Sequence, residues 1–275
     1  MTDNTTRAAD DARIYFPRGL NQPEGSFKFS MDALLLAGFV QSDARLGKAG
    51  DKNFHILDLG CGCGVIGLAL LLAFNGTQAE PRVTGVEIDP ELIACATENA
   101  QMLALAERFS ALEWDIRELV GKKGPFPPES FDLVTSNPPF RRADQGRLPA
   151  TTLRENALFE GSARLNDFVR TAAFALKNRG AFYCIWSSER LTELVCELKA
   201  HRLEPKLLLP VQARAHKGCS LVLVKAVKNG RPGLKLKAPL LVYELNENSG
   251  DKAKEPNLTR QVLEFCPWLA CNAKL

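Results

Sequence analysis

The chain has few of the side chains that most often carry catalysis or bind metals. Its three histidines, His55, His201 and His216, stand far apart and outside any catalytic motif. Cys61 and Cys63 form C-x-C, but no second Cys or His pair follows at metal-ligand spacing, which argues against a structural zinc. The other cysteines sit mostly inside apolar runs (Cys95, Cys184, Cys196), as expected of reduced thiols in a cytoplasm. Long hydrophobic runs are missing too. "ALLLAGFV" and "VIGLALLLAF" are core-length pieces, short of the ~18 apolar residues a membrane span needs. The opening "MTDNTTRAADDA" is polar and has no apolar h-region, so no signal peptide is expected.

What is present is an ordinary globular composition, 45% apolar and 24% charged over 275 residues, enough for one large core. The net charge of +3 is unremarkable as a total, but its distribution is not. Residues 201–240 carry nine Lys or Arg against one acid, Glu204. Apolar strands alternate with amphipathic helices. "FHILDLG" (54–60), "RVTGVEID" (82–89), "FSALEWD" (109–115), "FDLVTS" (131–136) and "GAFYCIWS" (180–187) read as strands. Helices are expected over 65–75, over 90–105 with Pro90 in the first turn, over 165–178, and over 188–202 with Ser188 as N-cap. "EPKLLLPVQ" and "CSLVLVKAV" follow with no helix between them. The pattern predicts an α/β fold: a mostly parallel sheet, helices on both faces, and an antiparallel hairpin at its edge. Residues 1–40 read as an N-terminal extension, 41–245 as the main domain, and 246–275 as a polar loop with a short helix around "RQVLEF".

"DLGCGCGVIGL" places Gly60, Gly62 and Gly64 between a strand and a helix, where bare N–H groups can approach a ligand. The spacing departs from G-x-G-x-x-G, which disfavours a nicotinamide cofactor, and there is no G-x-x-x-x-G-K-[ST] for a polyphosphate. Glu87 ends the second strand, where a carboxylate can take both ribose hydroxyls. Asp115 ends the third and can accept an adenine amino group, with Trp114 or Ile116 over the ring face. The pocket expected is for a nucleoside without a polyphosphate.

The fourth strand stops at Asn137-Pro138-Pro139-Phe140. Two prolines make a stiff segment that joins neither helix nor ladder. The Asn137 side-chain oxygen and the Pro138 carbonyl can hold both hydrogens of an exocyclic amine, and Phe140 can stack on its base. Arg141 and Arg142 follow directly and suit phosphate contact.

"DLGCGCG", "VEID", "EWD" and "NPPF", in that order, resemble the class I S-adenosylmethionine-dependent methyltransferases. The resemblance implies a Rossmann-like sheet of seven strands and S-adenosyl-L-methionine as cofactor. It assigns Asp58, Gly60, Gly62, Gly64, Glu87, Asp115, Ile116 and Asn137 to the cofactor, and catalysis to Asn137, Pro138, Pro139 and Phe140. "NPPF" is similar to the motif of enzymes that methylate planar amino nitrogens: adenine N6, guanine N2 or protein glutamine. "GSFKFSMDALLLAGFV" (25–40) resembles a segment of the bacterial tRNA1(Val) adenine-37 N6-methyltransferases, where it closes over the cofactor, and Asp32 matches its acidic position. That likeness runs from about residue 14 to 245. It implies a tRNA substrate, with Arg141, Arg142, Lys217, Arg231 and Lys235 as candidate RNA contacts. Ribosomal RNA, a protein glutamine, or a non-catalytic RNA-binding role are the alternatives.

Overall fold

Short apolar runs that end in glycine, proline or a carboxylate build the centre of this fold. The computed structural model describes residues 12–24, 29–43, 53–75, 77–121, 124–139, 163–244 and 257–272. Helix α1 (Met31–Gln41) precedes β1 (His55–Leu59), α2 (Val65–Ala73), β2 (Arg82–Glu87), α3 (Pro90–Met102), β3 (Phe109–Glu113) and β4 (Phe131–Ser136). Then come α4 (Leu165–Ala175), β5 (Leu176–Ser187), α5 (Leu191–Ala200), β6 (Leu203–Gln212) and β7 (Cys219–Lys228). Two-residue strands β8 (Lys235–Leu236) and β9 (Leu240–Leu241) and helix α6 (Arg260–Phe265) complete the order.

The strands lie in one sheet ordered β3-β2-β1-β4-β5-β7-β6-β8, with β9 also on β6. Strands β1 to β5 run parallel, and β7 is antiparallel to both β5 and β6. The helix-free pair β6 and β7 is thus the expected reversed hairpin, with β7 lying between β5 and β6. The sheet has nine strands rather than seven. The extra two pair with the outer edge of β6, at Leu207↔Lys235 and Val211↔Leu240. They cover an edge whose free N–H and C=O groups would otherwise be open.

Two further expectations need correction. The helix expected to 178 stops at Ala175, because fully buried Leu176 turns extended and pairs with Phe131. Ser188 is not the N-cap of α5: a short 3-10 turn over Ser188–Arg190 intervenes, and the Ser188 hydroxyl donates to the Cys219 carbonyl at 2.5 Å.

Two apolar layers flank the sheet. One gathers α1, α2, part of α3 and the C-terminal residues Val262, Cys266 and Leu269; the other gathers α4 and α5. Helix α1 is apolar nearly all round and is buried from Ala33 to Val40, as such a helix must be. The C-terminal segment closes over it, with the Cys266 thiol donating to the Leu34 carbonyl at 3.3 Å. The C-terminal end of α1 is tied to the sheet by Asp43, which pairs with buried Lys225 and accepts from the Tyr183 hydroxyl at 2.6 Å. Among the described residues no helix is long and apolar enough to cross a membrane.

Candidate active site

The strand ends of β1, β2, β3 and β4 form one rim. The loop after β1 folds back over β2: the amides of Gly60 and Cys61 both donate to the Val86 carbonyl, at 2.9 and 3.0 Å. Gly60, Gly62 and Gly64 have φ of 70, 54 and 84°, a region that costs an L-residue about 1–2 kcal/mol. A Cβ on Gly62 would meet nothing within 4 Å, so the loop presents bare backbone there.

Glu87 is anchored against this loop. Its Oε2 accepts from the Gly62 amide at 3.1 Å, and its Oε1 accepts from the Ile88 and Asp89 amides at 2.8 and 3.3 Å. Three donors fix the carboxylate while a carboxylate offers about four acceptor sites, so capacity remains for hydroxyl donors.

Asp58 lies two residues before the loop and is fully buried. Burial pushes its pKa up to about 7; the Thr135 hydroxyl and Gly67 amide act against this, and the nearby Glu87 charge adds to it. The Thr135 hydroxyl donates to Oδ1 at 2.9 Å, whereas Oδ2 has no hydrogen bond of normal geometry among the described residues.

At the next strand end Asp115 caps a short 3-10 turn, accepting from the Arg117 amide at 2.8 Å. The Arg117 guanidinium also closes on it: Nε lies 3.0 and 2.9 Å from the two oxygens, and Nη2 lies 2.6 Å from Oδ2. This hydrogen bonding holds the Asp115 carboxyl below the usual carboxylate range. Ile116 is buried behind it, its carbonyl accepting from Thr171 on α4 at 3.1 Å. Beside these residues is a cavity of about 240 Å3 lined by Ile88, Glu113, Trp114, Asp115 and Glu118. Ile88 is 50% exposed there. Its signal in the sequence is an apolar residue set between two acids, Glu87 and Asp89, at a strand end.

Asn137 follows β4. The Ser136 hydroxyl donates to the Leu59 carbonyl at 2.9 Å, and Leu59 and Ser136 are register partners. The glycine loop and the Asn-Pro-Pro segment therefore leave adjacent strands, roughly 4.8 Å apart. The Asn137 side-chain oxygen is buried and has no hydrogen-bond partner among the described residues. An amide oxygen left so costs about 1–3 kcal/mol, a cost that a donor supplied by a ligand would remove. Pro138 is buried and Pro139 exposed.

The remaining candidates are dispersed. Phe140, Arg141 and Arg142 lie outside the described residues. Asp32 sits in the first turn of α1. Lys217 is exposed in the turn joining β6 to β7, at the same end of the sheet as Asn137. Arg231 follows the opposite end of β7, and its carbonyl accepts from Lys206 at 3.0 Å. Lys235 is on β8, four strands from β4. The fold thus brings Asp58, the three glycines, Glu87, Asp115, Ile116 and Asn137 to one rim, and sets Arg231 and Lys235 away from it.

Residues 50–215 match the family model of a methyltransferase domain. The chain is 30% identical over 203 residues to the tRNA1(Val) (adenine(37)-N6)-methyltransferase of Porphyromonas gingivalis, spanning 72% of this chain and 73% of that protein. A "predicted O-methyltransferase" from Agrobacterium tumefaciens shares its fold with a TM-score of 0.61 at 24% identity, over 86% of this chain and 96% of that one. A chain assigned to the class I S-adenosylmethionine-dependent methyltransferases, from Listeria monocytogenes, does so at 0.56 and 16% identity, over 96% and 79%.

Proposed function

The chain belongs to the class I S-adenosylmethionine-dependent methyltransferases, and from that premise we propose that it methylates an exocyclic amino nitrogen, adenine N6 of a tRNA. The residues on the rim fit the cofactor. Bare backbone at Gly62 leaves room for the methionine part, the amide-anchored Glu87 suits the ribose, and the cavity beside Ile88 and Asp115 suits a purine. When bound, the cofactor supplies an electrophilic methyl group.

The observation that carries the reading is the buried Asn137 oxygen, without a partner among the described residues, beside a rigid Pro-Pro segment. An exocyclic purine amine is a poor nucleophile because its lone pair is delocalised into the ring. Asn137 Oδ1 and the Pro138 carbonyl would each accept one amino hydrogen, favour the pyramidal nitrogen and direct its lone pair. Rate then comes from positioning and electrostatics, and the nitrogen loses its proton after attack, so no histidine base is needed. Phe140 is assigned to stacking on the base, and Arg141, Arg142 and Lys217 to phosphates.

Adenine N6 in tRNA is favoured by the name of the P. gingivalis relative and by the basic stretch 201–240. Incubating the protein and labelled cofactor with separate tRNA, rRNA and protein fractions, then hydrolysing the products, tests it. Label in N6-methyladenosine from tRNA is expected. Label in guanine N2 or glutamine would replace the substrate, and no transfer to any fraction would overturn the reading.

A further inference from the structure

Asn99, on α3, is fully buried and uses its whole amide. Its Oδ1 accepts from the Asn21 backbone amide at 2.7 Å. Its Nδ2 donates to the Asn21 carbonyl and to the Cys63 carbonyl, both at 3.0 Å. Cys63 lies between Gly62 and Gly64 in the glycine loop, and the Gly64 amide donates back to Cys61 at 2.9 Å. The peptide joining residues 63 and 64 is therefore pinned from both sides. On the other side, the next residue, Gln22, accepts from the Phe29 amide at 2.9 Å. Phe29 packs against the core two residues before α1, whose first turn holds Asp32.

A buried asparagine is usually just a satisfied polar group. This one differs in what it joins. Its three bonds connect the glycine loop to the segment that enters α1, whose first turn holds the cofactor candidate Asp32, through one fully buried side chain. The pattern also requires an amide. Aspartate would keep the acceptor for the Asn21 amide but lose both donors, setting a carboxylate against two carbonyls.

We propose that Asn99 is a positioning residue that holds Asn21–Gln22, and through Gln22 the residues Phe29–Asp32, in register with the glycine loop, so that retention of the nucleoside cofactor depends on this bridge. The inference rests on the cofactor reading above. With Asn99 removed, the segment and the loop position themselves independently, and cofactor leaves faster.

The test compares wild type, Asn99→Ala, Asn99→Asp and Leu198→Ala by calorimetry and stopped flow with S-adenosylmethionine, at a temperature where all four are folded. Leu198 is fully buried in the opposite apolar layer and controls for lost stability alone. Both Asn99 variants should bind at least about tenfold more weakly, through faster dissociation, as expected for losing three hydrogen bonds in Asn99→Ala and the two donated ones in Asn99→Asp. Hydrogen exchange should show cofactor protecting Phe29–Asp32 in wild type and Leu198→Ala but not in the Asn99 variants. Asn21→Pro, which deletes the backbone donor and with it the exposed Asn21 Nδ2–Glu98 Oε2 hydrogen bond of 3.0 Å but changes no residue of α3, should reproduce the weakening and add little to Asn99→Ala. Affinities within twofold of wild type in both Asn99 variants overturn this inference alone. Absence of cofactor binding by the wild-type chain overturns the functional reading and this inference with it.

Discussion

Arg117 holds both carboxylate oxygens of Asp115, the acceptor proposed for the adenine amino group. Ligand and guanidinium then compete for the same lone pairs. The pair is partly exposed, with Arg117 side-chain exposure of 45%, so solvent screens it and breaking it costs little. Arg117→Ala should therefore tighten binding of S-adenosylhomocysteine about two- to fivefold in calorimetry. Weaker binding in this variant would make Arg117 itself an adenine contact.

Glu87 and Gly62 are joined by one hydrogen bond but should fail differently. Glu87→Ala leaves three backbone amides without their acceptor and removes the ribose carboxylate. Cofactor affinity should fall about 100-fold, the scale of losing charge-assisted bonds. The Cβ of Gly62→Val meets no atom within 4 Å among the described residues, and its left-handed backbone costs about 1–2 kcal/mol, so the thermal midpoint should drop modestly while affinity collapses. Normal affinity in both variants would remove the assignment of this crevice.

Asn137→Ala separates chemistry from binding. Methyl transfer in single turnover should fall about 100-fold or more, with cofactor affinity nearly unchanged. Because the Asn137 oxygen is buried without a partner among the described residues, deleting it should also leave stability unchanged or raised. A fully active variant would sink the amine-positioning mechanism.

Asp58 makes stability depend on pH. Its folded pKa, about 7, lies above its ordinary value near 4, so the folded state holds a proton that the unfolded state has released between those values. Its contribution is intact below about pH 4 and is lost as pH rises through about 7, by at most roughly 4 kcal/mol. Urea titrations of wild type and Asp58→Asn at pH 5 and 8 isolate this effect. The wild type should lose stability relative to the variant at the higher pH, and a constant difference would refute the assignment.

The RNA assignment predicts salt dependence. The three phosphate contacts assigned to Arg141, Arg142 and Lys217, at about −0.7 each, give a slope of log K against log salt near −2. Lys217→Glu should weaken tRNA binding and make the slope shallower without altering cofactor affinity. Charge reversal of Arg231 and Lys235 should do the same only for RNA that reaches the outer sheet edge, roughly 19 Å from β4 at four strand spacings. An isolated anticodon stem-loop should not notice it. Affinity for tRNA that stays flat with salt would redirect the search toward a protein amide acceptor.

Local signals made much of the architecture and of the candidate rim readable in the sequence. Glycines at 60, 62 and 64 and the double proline at 138 and 139 mark the ends of strands because each is constrained by its own backbone, and the acids at 87 and 115 stand at or just past strand ends beside them. The strand–helix alternation likewise followed from apolar periodicity, down to the reversed pair β6 and β7.

Tertiary structure decided the rest, for reasons of pairing and burial that no local pattern carries. Two-residue strands such as Lys235–Leu236 are too short to show alternation and exist because β6 offers an open edge. Leu176 leaves its helix because Phe131 offers it a ladder partner and a buried place. Arg117 reads as an ordinary surface cation until the turn after β3 folds it onto Asp115. Asn99 reads as a polar residue within an amphipathic helix until residues 36 positions before it and 78 positions before it meet its amide. Sequence determined which groups were available at each strand end; only the packing of distant segments determined which of those groups are held, shared or left open.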